Sequence, residues 1–169
     1  PNSTQGNGAV TLNSSLIDHT GKAIGQTTLS KIQQYTPAIK AASNVIGLPD
    51  YLIKAIAMTE SGFDTTAVSG AGAAGIMQIM PSNYKGVYKH NPNDPNQNIL
   101  AGTRIFKNNL DAIKKKYPGK FVEEDYWALA MGAYNAGPTA LDKAISKAAK
   151  NNKNIDAATV AKYLPAETR

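Results

Sequence analysis

The sequence predicts an all-α fold, and three observations carry the prediction. Apolar residues recur at helical spacing in several separate segments. Capping residues, prolines and glycines fall where those segments should start and stop. No segment alternates convincingly with the two-residue period of a strand. With 169 residues, 42% of them hydrophobic, the chain is long enough for one domain with a real core and too short for two ordinary ones. It contains no evident internal repeat.

Residues 1–27 carry Gly, Ser, Thr, Asn and Gln with little periodicity, and read as a flexible linker or tail ahead of a domain spanning 28–169. A short helix is expected over 29–35. Thr36-Pro37 reads as a new helix start, with Thr36 as N-cap and Pro37 at the first position. That helix should bury Ile39, Ala42, Val45 and Ile46 and close at Gly47. The next helix, over 48–59 with Pro49 at its first position, carries Leu52, Ile53, Ile56 and Ala57 on one face. A loop containing Gly70, Gly72 and Gly75 follows, then a short helix around 76–80. Three prolines and many asparagines make 81–98 mostly turns. Asp94 or Asn96 caps a long helix over 95–116, whose stripe is Ile99, Thr103, Phe106, Leu110 and Ile113 and which Gly119 ends. Glu123, Glu124 and Asp125 put negative charge at the start of a further helix, favourable to its dipole. It carries Trp127, Leu129, Ala130 and Met131 and ends at Tyr134-Asn135-Ala136-Gly137. Pro138 opens a helix to about Lys150, and a last short one is expected over 156–164.

The formal charge of +6 suits nucleic acid, an anionic membrane or an anionic polymer such as a bacterial wall. The one dense cluster, Lys114-Lys115-Lys116, sits at a helix end, where cations favour the dipole anyway, so it does not indicate a nucleic-acid partner. No apolar run approaches the length of a membrane span. The absence of cysteine excludes disulfides and thiolate metal sites, and His19 and His90 are too far apart for ligand spacing. No metal and no cofactor are therefore expected. There is no signal-peptide pattern, and Pro1 points to a processed or excised chain.

Glu60 falls four residues after Ile56 and seven after Ile53, so it continues an apolar helix face. Partial desolvation there disfavours its charged form, and the negative end of the helix dipole works in the same direction. Both favour a protonated Glu60 near neutral pH, which suits a general acid. Spacing alone also fits a solvated or ion-paired glutamate at a helix end. Downstream, Gln78 is the one polar side chain within Ile76-Met77-Gln78-Ile79-Met80, and it suits either a ligand contact or a buried structural hydrogen bond. The neighbouring Ile and Met residues read as core.

The order Glu60-Ser61, Ala67-Val68-Ser69, Gly72-Ala73-Ala74-Gly75-Ile76-Met77-Gln78-Ile79-Met80-Pro81, Asn96…Asn98-Ile99…Ala101-Gly102 and Ala133-Tyr134-Asn135-Ala136-Gly137-Pro138 resembles the soluble lytic transglycosylase (SLT) catalytic domain. The resemblance runs from about Thr36 to Arg169. It implies a globular, lysozyme-like helical domain related to goose-type lysozyme, acting on peptidoglycan glycan strands. It also implies a monomeric domain of a larger protein, placed outside the cytoplasm (periplasm, cell wall or secreted) or in a phage virion. By resemblance Glu60 is the sole catalytic acid/base, and Ser69, Gln78, Met80, Tyr134 and Asn135 line the sugar groove, with Asn83 as a further candidate. Ser61 either steadies Glu60 or terminates its helix. Tyr134 offers an aromatic body with a polar tip, suited to a sugar or to a helix-end core position.

The family cleaves the β-1,4 bond between N-acetylmuramic acid and N-acetylglucosamine without water. The acid protonates the glycosidic oxygen while the muramic acid N-acetyl group stabilises the developing cation. The resulting carboxylate then deprotonates the C6 hydroxyl, which closes a 1,6-anhydro ring. Ordinary glycosidases use two carboxylates. Asp64, the only other acid near Glu60 in sequence, reads as a turn residue. Two alternatives stand beside this reading: a hydrolytic, goose-type lysozyme-like muramidase, and a non-catalytic wall-binding module.

Overall fold

The computed structural model describes residues 26–166. The expected tail therefore lies outside the described residues, apart from residues 26 and 27, which already belong to the first helix. The fold is all-α, as the periodicity predicts. Its helices are α1 (Gln26–Ile46), α2 (Asp50–Ser61), α3 (Pro95–Lys116), α4 (Glu123–Ala136), α5 (Pro138–Asn151) and α6 (Ala157–Ala161). α3 packs against α1 and α4, α2 leans on α1 and α3, and α5 and α6 close over α4. One contiguous core joins them, with Ile39, Ile53, Ile76, Met77, Ile99, Phe106, Leu141 and Ile145 almost fully buried.

The two helices expected over 29–46 are one. Pro37 lies inside α1, and Thr36 is no N-cap: its hydroxyl donates to the Ile32 carbonyl at 2.8 Å. An interior proline costs about 3 kcal/mol. The helix bears this because Ile32 and Tyr35 before the proline, and Ile39 and Ala42 after it, all pack on the same core. Val45 is 67% exposed, contrary to expectation. It lies six residues from Ile39, roughly 120° around the helix from it. Ile46 is half-buried.

Pro49 is the N-cap of α2 with an extended ψ of 137°, so the helix begins one residue later than predicted. α2 ends through two successive left-handed residues, Gly62 (φ 59°) and Phe63 (φ 64°). A bulky residue in that region is strained. Phe63 is held there by burial and by stacking on Tyr35 at 6.2 Å between ring centroids.

The short helix expected around 76–80 does not form. The segment is instead a tight hairpin-like turn, with antiparallel bridges Val68–Ala74 and Ala74–Ile79. Gly75 (φ 82°) and Gln78 (φ 49°) both leave helical space. Burial of the contiguous Ile76 and Met77, with Ile79 close behind, shows no helical period because neighbours enclose the segment on several sides. Beyond it, residues Asn83–Val87 make a π-helical turn.

The N-cap of α3 is Asp94, whose carboxylate accepts from the N–H groups of Asn96 (2.9 Å) and Gln97 (3.1 Å), with Pro95 at the first turn. All five predicted stripe residues are buried. The helix stops at Tyr117, and Gly119 lies in the turn beyond. Lys114 pairs with Glu123, and Lys116 with Asp142, so two of the three clustered lysines are tied to acids of this chain. The last helix is shorter than predicted, ending at Ala161. No helix among the described residues is long and apolar enough to cross a membrane.

Gly75 shows how tightly the hairpin is docked. A Cβ there would lie 2.2 Å from the Pro92 carbonyl oxygen and 2.5 Å from Asn98 Nδ2. Gly75→Ala should therefore cost at least about 2 kcal/mol in a urea unfolding experiment, from steric overlap and positive φ together. Gly70→Ala, at a position with open space, should stay within about 0.5 kcal/mol of the parent.

Candidate functional site

The site is assembled where the end of α2 meets the hairpin. Glu60 sits in the last turn of α2, because Ile53, Ile56 and Ala57 on the same face are buried against the core. Its carboxyl is half-buried, and burial raises its pKa from the ordinary 4.5 to about 7. Among the described residues, no cation or hydrogen-bond donor offsets that effect. Near neutral pH, Glu60 is thus divided between acid and carboxylate, the two states an acid/base catalyst must alternate between.

Three side chains fix the backbone facing this region. Ser61 Oγ donates to the Ile76 carbonyl at 2.7 Å and accepts from Asp64 N–H at 3.1 Å. Asn98, fully buried on α3, accepts from Met77 N–H through Oδ1 at 2.8 Å and donates through Nδ2 to the Ala74 carbonyl at 3.2 Å. Tyr134 on α4 donates its hydroxyl to the Met77 carbonyl at 2.6 Å. Burial pushes the Tyr134 phenol well above its ordinary range, and the negative charge of Glu60 pushes it further the same way. That hydroxyl stays protonated and is committed to a carbonyl.

The remaining predicted residues are distributed around this centre. Gln78 is half-buried, and its amide nitrogen donates to the Ala67 (3.0 Å) and Gly75 (2.9 Å) carbonyls. One end of Gln78 is therefore structural, which leaves Oε1 as the end able to accept from a ligand. Ser69 is exposed at the hairpin tip, where its hydroxyl accepts from Ala73 N–H at 3.0 Å. Met80 is 40% exposed. Asn83 opens the π-helical turn, half-buried, joined to the hairpin through its own N–H bond to the Met80 carbonyl at 2.9 Å. Asn135 is exposed in the last turn of α4.

Ser61, Gln78 and Tyr134 thus bond the backbone of 75–77, and the Glu60 charge acts on Tyr134, whereas Ser69, Met80, Asn83 and Asn135 make no bond to that segment. Asp64 accepts from the N–H (2.9 Å) and hydroxyl (2.8 Å) of its neighbour Thr66. Those bonds hold its carboxyl below the usual carboxylate range. Among the described residues, no three His, Asp or Glu side chains gather as a metal site would require.

Asn98 was not singled out by residue-level reasoning. The available signal was its spacing: it stands four residues before Gly102 on one helix face. A Cβ at Gly102 would lie 2.7 Å from Met77, so this pair opens the space into which the hairpin docks.

The family model for the transglycosylase SLT domain matches residues 37–157. A transglycosylase of Enterobacteria phage PRD1 is 37% identical over 83 residues, covering 49% of this chain and 31% of that protein. The membrane-bound lytic murein transglycosylase D of Escherichia coli strain K12 is 35% identical over 115 residues, covering 66% of this chain and 24% of its own length. Among solved structures, the 70 kDa soluble lytic transglycosylase from Escherichia coli superposes with a TM-score of 0.58 at 25% identity. That match covers 79% of this chain and 21% of the other. The chain therefore spans between 24% and 31% of the length of these two curated relatives. The lysozyme-like helical domain implied by the resemblance is the fold observed.

The raised Glu60 pKa makes folding pH-dependent. In the unfolded chain Glu60 ionises near 4.5, and in the folded protein near 7. Its contribution is therefore neutral below pH 4.5 and becomes increasingly destabilising as pH rises to about 7. Glu60→Gln should raise the thermal midpoint at pH 8 relative to the parent, with the difference shrinking toward pH 4. Thermal melts across that range check both the sign and the window.

Proposed function

The chain belongs to the transglycosylase SLT domain family, and from that premise we propose that it is a peptidoglycan lytic transglycosylase with Glu60 as sole acid/base. The observation that carries the mechanism is a half-buried carboxyl with a pKa near 7 and no compensating cation among the described residues. In the first step protonated Glu60 gives its proton to the glycosidic oxygen between N-acetylmuramic acid and N-acetylglucosamine. The N-acetyl group of the muramic acid stabilises the cation that develops as the bond breaks. Glu60, now a carboxylate, removes the C6 hydroxyl proton, and that oxygen closes the 1,6-anhydro ring. A single group with a pKa near the working pH performs both transfers with little thermodynamic penalty.

In this reading Ser61 and Tyr134 act mainly by holding the hairpin backbone against the catalytic acid. Ser69, Gln78 through its Oε1, Met80, Asn83 and Asn135 offer contacts along the glycan. The exposed Met80 thioether and the body of Tyr134 supply apolar surface for sugar faces. The phage and membrane-bound relatives support action outside the cytoplasm or from a virion.

Two experiments test the proposal. Glu60→Gln keeps the shape but cannot cycle a proton, so release of muropeptides should fall by roughly 10²–10⁴-fold. Mass analysis of the parent digest should give anhydro-muramic acid ends, lighter by one water than reducing ends. Predominantly reducing ends would favour a muramidase, and retained turnover in Glu60→Gln would remove this residue from the mechanism.

Asp64 is the residue a hydrolytic route would need as a second carboxylate. It is exposed and occupied by Thr66. Asp64→Asn keeps most of that local bonding and should leave activity within a few-fold of the parent. A loss comparable to that of Glu60→Gln, in a protein with an unchanged far-ultraviolet spectrum, would put the muramidase mechanism ahead.

A further inference from the structure

Asn98 is fully buried on α3, so its amide must find partners inside the protein for its oxygen and for both of its hydrogens. The hairpin supplies two of them. Oδ1 accepts from Met77 N–H at 2.8 Å, which only the oxygen of the amide can do, and this fixes the amide orientation. Nδ2 then gives one hydrogen to the Ala74 carbonyl at 3.2 Å and aims the other at His90 Nε2, 3.3 Å away. An N–H facing Nε2 requires a lone pair there. His90 is therefore neutral in this arrangement, with its proton on Nδ1, and that nitrogen lies 2.5 Å from the Tyr88 carbonyl oxygen, to which it donates. Both ring contacts call for the same tautomer.

The half-buried ring is held in this attitude by its own turn. His90 N–H donates to the Tyr84 carbonyl at 3.1 Å, and the imidazole stands at 74° to the Tyr84 ring, with 6.2 Å between centroids. The same stretch of chain reaches the hairpin twice more. The Tyr84 hydroxyl donates to the Gly72 carbonyl at 3.4 Å, and the Pro92 carbonyl lies directly against Gly75. Residues 84–92 thus back the hairpin on the side away from Ser61 and Tyr134. Asn98 Nδ2 also presses on Gly75, where a Cβ would lie 2.5 Å from it. A displaced amide therefore displaces the hairpin backbone, whose Ile76 and Met77 carbonyls are the partners of Ser61 and Tyr134.

We propose that His90 is a positioning residue for glycan cleavage: its Nε2 lone pair completes the bonding of Asn98, and through Asn98 it sets the hairpin that carries Gln78 and Met80. The imidazole touches no substrate in this role. It suits the place because one rigid ring presents an acceptor to Asn98 and a donor to Tyr88 at once. Without the acceptor, a hydrogen of Asn98 is left unpaired at a fully buried residue, and the amide and the hairpin gain reason to shift. The reaction served is the one proposed above, whereas the bonding of His90 to Asn98 stands independently of it.

Two substitutions separate this role from service to the 84–90 turn alone. His90→Gln places its amide oxygen near the position of Nε2, so it keeps an acceptor for Asn98 and gives up the bond to Tyr88. His90→Asn does the reverse, keeping a donor for Tyr88 and leaving Asn98 without its acceptor. With the whole chain and soluble peptidoglycan strands, His90→Asn should lose roughly tenfold in kcat while KM moves less than about threefold. His90→Gln should retain most of the parent rate. Hydrogen exchange at the Met77 amide should follow the same order, faster by at least about tenfold in His90→Asn than in His90→Gln. Ring-nitrogen magnetic resonance of the parent at about pH 8 should place the proton on Nδ1. Equal kcat in the two variants would mark a purely structural histidine, and the reverse order would mark service to the turn; either overturns the proposal. A parent ring with its proton on Nε2 also overturns it, and that reading needs no variant to fold. A parent that cleaves no peptidoglycan would sink the transglycosylase reading, while the exchange order would still decide whether His90 holds the hairpin.

Discussion

Burying residues 74–77 takes their backbone N–H and C=O groups out of water, and an unpaired group there would cost about 1–3 kcal/mol. The chain meets this constraint with side chains from three different helices. The Ser61 hydroxyl, the Asn98 amide and the Tyr134 hydroxyl each take a backbone group of this segment. Gly75 and Gly102 supply the room, since a Cβ at either would overlap its neighbours. The rest of the architecture follows from bringing α2, α3 and α4 close enough to make those bonds at once.

The same arrangement explains the chemistry of Glu60. A carboxyl in a partly enclosed site is normally matched by a lysine, an arginine or backbone donors, any of which would lower its pKa. Here the nearby polar groups are already engaged with backbone carbonyls. Ser61 and Tyr134 both point their hydrogens at the hairpin. Their service to the scaffold leaves Glu60 with burial alone acting on it, and so with a pKa near 7. Asp64, four residues on, has the opposite environment: exposed, and served by two donors from Thr66. Two acids close in sequence thus have opposite pKa shifts for local and identifiable reasons.

Periodicity made most of the helical framework legible. The α3 stripe, the Asp94 option for its cap, the acidic first turn of α4 and the Pro138 start of α5 all follow from patterns within one or two turns of chain. Local rules failed where tertiary contacts dominate. Thr36-Pro37 has the signature of a helix start, yet packing on both sides of the proline keeps α1 continuous. Residues 76–80 look helical from composition, but their partners lie on α2, α3 and α4. Glu60 stood out because the burial of its own helix face is readable from sequence. The purpose of Asn98 was not readable at the level of residues, because its value lies in a backbone segment 21 to 24 residues away.

Those separations bear on how the site comes into being. The bonds that hold the hairpin span 15 residues to Ser61, 21 to Asn98 and 57 to Tyr134. Contacts of that range form only after the intervening loop entropy has been met, so the docking of the hairpin, unlike its own bridges, has no local route. During synthesis the segment carrying Glu60 emerges well before α4, and it lacks the Tyr134 clamp until that helix has been made and docked. The surroundings of Glu60 are thereby incomplete in a nascent chain that has not yet made α4. The order of assembly is set by the topology.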